Sequence, residues 1–197
     1  MDQKRFEQQL SFILEADKEK NIFRQTHLTG HGRRENDAEH AWHMAIMIYL
    51  LKEYANEEFD LAKAMLMALI HDVVEIDAGD TYAYDETALA TQAEREAKAA
   101  VRLFGLLPED QGNALKSLFE EYEAGETNEA KFVRSIDNFQ PLLLNDSNNG
   151  VDWAVHQSKL SAVMKRHIKT KAGSEKIFEL TEKILQKNVE NGNIVKD

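Results

Sequence analysis

Residues Phe59 to Asp80 read FDLAKAMLMALIHDVVEIDAGD. From Leu61 to Ile70 only Lys63 is charged, so the spacing predicts a helix from about Phe59 to Ile70 that is apolar on nearly every side. Such a helix belongs in a core, and it delivers His71 and Asp72 at its C-terminal end. Burying an ionised carboxylate is costly unless a cation or hydrogen bonds compensate it, so Asp72 calls for a partner, and a divalent metal is one. If the helical winding continues past Asp72, Glu75 lies four residues from His71 and three from Asp72, on the same face and within reach of a metal-bound water.

The helix before this stretch is announced by Asn36 as N-cap with Glu39 three residues on, a capping-box pattern. Its body, Ala41 to Leu51, is apolar on most sides and predicts a second central, buried helix, with His40 one turn in. Farther along, Phe132, Ile136, Phe139 and Leu143 form one stripe of a helix expected from Glu129 to about Leu144, with Val133, Asp137 and Gln140 on the adjoining one. Pro141 stands four residues past Asp137, where its ring predicts a kink. His40, His71, Asp72 and Asp137 are thus polar residues on three helices that ought to face a core. Mixed imidazole and carboxylate ligands suit a borderline divalent ion and leave positions open for water and substrate.

Around these helices the pattern predicts a first helix, carrying Phe6, Leu10, Ile13 and Leu14, that ends near Lys20, then a loop from Arg24 to Asn36. After another loop from Ile76 to Asp85 come charged helices over 86–104 and 109–123, divided at Leu107-Pro108. Gly125 to Asn128 reads as a turn and Asn145 to Gly150 as a loop. Two amphipathic helices, about Trp153 to Lys169 and Ser174 to Asn188, precede a polar tail expected to fray. The charge run Glu94 to Lys98 reads as a solvated face, and His27, His31, His43, His156 and His167, which show no partner spacing, read as structural or surface residues. The fold class expected is all-α: a single helical bundle domain over 1–197 with a buried metal site, the motif-bearing core at about 12–145 and the helices of 151–190 packed on it.

Composition agrees. Nine Gly and two Pro in 197 residues, with an apolar fraction of 43%, favour helix and suffice for one core. The net charge of −11 argues against a nucleic acid polymer, which needs clustered Lys and Arg, but leaves a small phosphate ester open. Without cysteine there is no disulfide framework and no thiolate site, which suits the cytoplasm. Met1 to Leu10 is charged where a signal peptide needs an apolar run, and the longest apolar stretch, Met44 to Leu51, is too short to span a bilayer, so no membrane association is expected.

The order His40, then His71-Asp72 some thirty residues on, then a distant Asp137 resembles the signature of the HD-domain metal-dependent phosphohydrolases. More narrowly, Arg24, Glu35 to His40, His71 to Asp80 and Glu129 to Asp137 resemble the branch that contains bacterial 5′-deoxynucleotidases, over about Phe12 to Asn145. The resemblance implies that His40, His71, Asp72 and Asp137 ligate one divalent ion (Mn, Co, Fe, Ni, Zn or Mg). It further implies that Glu75 and Asp80 are the acid/base pair and that Arg24, with Gln25 beside it, binds the substrate. Gln25, Thr26 and His27 stand in place of the aromatic residue that the branch uses for sugar selection. The function implied is hydrolysis of a (deoxy)nucleoside 5′-monophosphate by a homodimer. The alternatives are hydrolysis of another nucleotide phosphate ester, such as a triphosphate or an alarmone, and a non-enzymatic nucleotide- or metal-sensing module.

Overall fold

The computed structural model describes residues 2–79 and 86–197, with the backbone alone for 86–89. Helix α1 (Gln3–Ala16) starts where the Asp2 side chain accepts a hydrogen bond from the Arg5 amide at 3.2 Å, and a 3-10 turn (Asp17–Asn21) follows it. Its sequence stripe of Phe6, Leu10, Ile13 and Leu14 is exposed, and Phe12 instead faces the core, its ring 6.3 Å from that of Phe104.

The expected loop from Arg24 to Asn36 is in fact an antiparallel hairpin of β1 (Phe23–His27) and β2 (Arg34–Asn36). Little in the local pattern announces it, because it is held from outside. The Asn148 side-chain amide donates to the carbonyls of His27 (3.3 Å) and Leu28 (3.0 Å), and its oxygen accepts from the His31 amide (2.9 Å).

Asn36 then caps α2 (Asp37–Leu51) as read. Its side chain accepts from the Glu39 amide at 2.9 Å, and Glu39 accepts from the Asn36 amide at 3.2 Å. Asp60 caps α3 (Leu61–Ile70) in the same manner, accepting from the Lys63 amide at 3.0 Å. Both helices are apolar nearly all round, yet each buries one side only. Met44, Ala45, Ile48, Ala64, Met67 and Ala68 are buried, whereas Trp42, Ile46, Tyr49 and Leu50 on α2 and Leu66 and Leu69 on α3 remain exposed. The expectation of two helices buried on nearly every side therefore fails on their outer faces.

Past Ile70 the chain tightens into i→i+3 hydrogen bonds, Glu75 to Asp72 at 2.8 Å among them, before the short α4 (Glu75–Ala78), so the predicted loop begins with a helical turn. Helices α5 (Glu86–Phe104) and α6 (Glu109–Ala124) match the reading. Helix α7 (Asn128–Ser147) lies against both α2 and α3, burying Phe132, Val133, Ile136, Phe139 and Leu142. Pro141 sits inside it, and the helix runs on to Ser147 where a loop was expected from Asn145.

The predicted helix from Trp153 to Lys169 is three pieces: α8 (Val151–Val155), α9 (Leu160–His167) and a 3-10 turn (Ile168–Ala172). Helix α10 (Glu175–Glu190) follows, capped by Ser174, whose hydroxyl accepts from the Ile177 amide at 3.0 Å. The tail does not fray. Ile194 is buried, and the Val195 carbonyl and amide pair with the Leu160 amide and the Ser158 carbonyl, each at 2.9 Å.

Gly173 sits where the turn before α10 presses on α7, and a Cβ there would collide with the Lys131 carbonyl and the Ser135 hydroxyl. No helix among the described residues is long and apolar enough to cross a membrane. Gly173→Ala is expected to lower stability by about 1–3 kcal/mol, as overpacking does, and urea unfolding read by circular dichroism checks it.

Candidate metal centre

Three of the elements above converge. α2 contributes His40, the turn after α3 contributes His71 and Asp72, and α7 contributes Asp137. One ligand atom each from His40, His71 and Asp72 lies within 4.8 Å of the others, and all three residues are buried. Asp137 joins through its Oδ1, 3.1 Å from His40 Nε2.

The hydrogen bonds on the far sides of the rings settle which nitrogens face inward. His71 Nδ1 donates to the Ala68 carbonyl at 2.8 Å, which leaves the lone pair on Nε2. That Nε2 is buried, 3.1 Å from Asp72 Oδ1, but is not aligned for a hydrogen bond and has no hydrogen-bond partner among the described residues. His40 Nδ1 lies 3.0 Å from Gln140 Oε1, whose Nε2 donates to Glu35 at 2.7 Å; Gln140 Oε1 is therefore an acceptor, and His40 Nδ1 donates to it. Each imidazole thus turns Nε2 to the centre.

The spacings suit an ion. Ligands about 2.1 Å from a common metal lie roughly 3.0 Å apart when adjacent at right angles and roughly 4.2 Å when opposite. His71 Nε2 to Asp72 Oδ1 is 3.1 Å, His40 Nε2 to Asp137 Oδ1 is 3.1 Å, and His40 Nε2 to Asp72 Oδ2 is 4.0 Å.

The charged groups of the cluster shift one another's proton affinities. Burial pushes the His71 imidazole down, but the Asp72 charge outweighs it and holds the group up at about 9. Burial and Arg24 likewise push His40 down, and its hydrogen bonds to Asp137 and Glu35 bring it above its ordinary value. Burial raises Asp72, yet His71 and Arg24 hold it at about 2. Asp137 is raised by burial too, and its hydrogen bond with His40 takes it well below the usual carboxylate range. Metal binding would require both imidazoles in their neutral form, so it would release any proton they hold.

Arg24 sits in this cluster, half-turned toward the acids. Its Nη1 donates to Asp72 Oδ2 at 2.8 Å and lies 3.4 Å from Asp37 Oδ1. Arg24, Gln25 and Glu75 all line the cleft, of about 280 Å³, that opens over Asp72 and Asp137, and Glu75 is buried there. Asp80 lies outside the described residues. The structure therefore gathers His71, Asp72, Asp137, Glu75, Arg24 and Gln25 around one cleft, with His40 buried against Asp137.

Several residues of the site escaped the sequence reading. Gln140 stood on the same stripe as Asp137, three residues on, and that spacing was its signal. Tyr122 donates to Asp137 Oδ2 at 3.0 Å, and Glu35 and Asp37 are buried next to Gln140 and Arg24. Glu19, with its carboxyl pushed up to about 8 by burial and then by Asp72, had no signal in the local pattern. The reading of Glu94 to Lys98 as a solvated face holds for the exposed pair Lys98–Glu94 but not for Glu96, which is buried in the cleft wall with its carboxyl raised by burial.

A family model described as an HD domain matches residues 16–178. The 5′-deoxynucleotidase HDDC2 of Homo sapiens is 32% identical over 111 residues, 56% of this chain and 53% of that protein. The Schizosaccharomyces pombe 5′-deoxynucleotidase hdd1 is 32% identical over 113 residues, 55% of each. The chain thus spans about half the length of the curated relatives it matches. A crystal structure of a predicted metal-dependent phosphohydrolase from Magnetospirillum magnetotacticum superposes with a TM-score of 0.93 at 46% identity, covering 98% of this chain and 96% of that one.

Because Gln140 accepts from His40 Nδ1 and donates to Glu35, Gln140→Leu is expected to weaken metal affinity by about 10–100-fold, the usual cost of losing such an outer partner, as metal content after dialysis would show.

Proposed function

The chain belongs to the HD-domain family, and from that premise we propose that it is a metal-dependent phosphohydrolase acting on the 5′-phosphate ester of a (deoxy)nucleoside monophosphate. The observation that carries the reading is the convergence of His40, His71 and Asp72 within 4.8 Å, with Asp137 beside them, at the floor of a cleft. The likeness to the phosphohydrolase structure over nearly the whole of both chains, and to proteins named 5′-deoxynucleotidases, supports the reaction and the substrate class.

In this reading His40, His71, Asp72 and Asp137 hold one divalent ion. When bound, such an ion supplies Lewis acidity to a phosphoryl oxygen and lowers the pKa of water. Arg24 offsets the charge of the transferred phosphoryl group, and Gln25, next along β1, contacts the substrate from the cleft wall. Glu75 accepts a proton from the attacking water and orients it. As the P–O5′ bond breaks, Asp80 gives a proton to the departing oxygen.

We further read residues 1–197 as one domain, working in the cytoplasm as a homodimer. The exposed apolar row of Trp42, Ile46, Tyr49 and Leu50 on one face of α2 supports self-association, because a surface row of that kind is covered at little cost by its own copy. Trp42→Glu is expected to shift the sedimentation coefficient of the protein from dimer to monomer; a monomeric parent protein would refute the dimer.

The activity is tested by phosphate release over a panel of nucleotides with several divalent metals. Orthophosphate plus nucleoside is the expected product pair, and pyrophosphate would point to a triphosphate or alarmone ester instead. His71→Ala is expected to lose bound metal and turnover together. Glu75→Gln should keep the metal and lower kcat by about 10²–10⁴-fold. Turnover retained by metal-free protein would reject the mechanism.

A further inference from the structure

The hairpin read as a loop carries two histidines that the sequence left without partners, and the fold brings both to one carboxylate on α8. His27 Nδ1 lies 2.9 Å from Asp152 Oδ1, and His31 Nε2 lies 3.2 Å from the same oxygen. The two rings stack with centroids 4.3 Å apart and planes 28° apart, so that their nitrogens are presented side by side. We propose that His27, His31 and Asp152 form a second metal site, separate from the centre at His71, that takes a transition-metal dication of the zinc, cobalt or nickel class.

The spacing is that of ligands around an ion. One ligand atom from each residue falls within 4.8 Å of the other two. Donors about 2.1 Å from a shared ion are roughly 3.0–3.4 Å apart between right-angled and tetrahedral geometry, which brackets or closely approaches both nitrogen–oxygen distances here. Two imidazoles and one carboxylate are a borderline donor set, which favours zinc, cobalt or nickel over magnesium or calcium. Asp152 also keeps capacity in reserve, since its Oδ2 is buried with no hydrogen-bond partner among the described residues.

The site is built rather than incidental. His31 adopts a left-handed backbone conformation, φ 52°, uncommon for any residue but glycine. Asn148 holds it there by accepting from the His31 amide at 2.9 Å, and it donates to the carbonyls of His27 and Leu28 as well. One asparagine at the end of α7 therefore fixes the turn so that both rings face Asp152. His31 remains partly exposed, which leaves room for water on the ion's outer side. Asp152, Gln25 and Thr26 share the wall of the main cleft, so an ion on this triad would fasten the mouth of that cleft.

The test uses the full chain, stripped of metal by a chelator, reloaded with excess Co(II), desalted, and read by elemental analysis and by the visible spectrum of Co(II). The unaltered chain is expected to retain two equivalents. His31→Asn, chosen because asparagine tolerates the left-handed backbone, should retain one, and so should His27→Gln. His71→Ala combined with Asp72→Ala should also keep one, with the spectrum of the hairpin site alone, and adding His31→Asn should remove it. The proposal is overturned if His31→Asn and His27→Gln each retain as much Co(II) as the unaltered chain, or if the His71→Ala, Asp72→Ala variant retains none. Neither result depends on turnover, so the outcome stands apart from the fate of the phosphohydrolase reading.

Discussion

Glu19, Glu35, Asp37, Asp72 and Glu75 are buried around one point, with Asp137 half-buried beside them, and the protein must compensate their charge before its helices can close. Such a cluster is tolerable only with cations and hydrogen bonds placed inside it. Arg24, His40 and His71 provide the first, and Gln140, Tyr122 and the Ala68 carbonyl organise the second. The inner faces of α2, α3 and α7 are apolar up to this point, so the packing of the core and the compensation of the acids are one requirement. That is also why a dication suits the place: it offsets the acids while leaving both rings neutral, in the form that ligates metal.

This constraint was legible wherever it left a trace in neighbouring residues. The capping box of Asn36 and Glu39, the His-Asp pair at the end of an apolar run, and the stripe bearing Asp137 and Gln140 are all local patterns with a physical meaning. Local winding also carried the placement of Glu75, because the turn after Ile70 is tighter than an α-helix but keeps the same hand. The hairpin, the pinned tail, and the burial of Glu19 and Glu96 were not legible. Each depends on a partner far along the chain: Asn148 for the hairpin, Ser158 and Leu160 for the tail, and the cleft wall for Glu96. An acidic residue between charged neighbours gives no sign of which way its helix will face.

The outer faces of α2 and α3 illustrate a different limit. Hydrophobic composition states that a surface should leave water and does not state what will cover it. Met44 and Ile48 are covered by this chain, while Trp42, Ile46, Tyr49 and Leu50, equally apolar and one face away, are not. A helix apolar all round was read as buried all round, although the same pattern serves a helix with a core on one side and an exposed apolar face on the other.

The hairpin shows how far the site reaches beyond the residues that resemble a known signature. Two short strands are marginal alone, so the position of β1 is set by what grips it. At one end the Asp37 amide donates to the Ile22 carbonyl at 3.1 Å, tying the strand to the start of α2; at the other, Asn148 and Asp152 hold His27 and the turn. Arg24 lies between these grips and reaches Asp72 at 2.8 Å. The cation nearest the acids is therefore positioned in part by residues at the end of α7 and in α8, past the stretch that carries the motif. Those C-terminal elements are consequently part of the site's construction, and a chain cut after α7 would lose the grip of Asp152 on the strand that holds Arg24 in place.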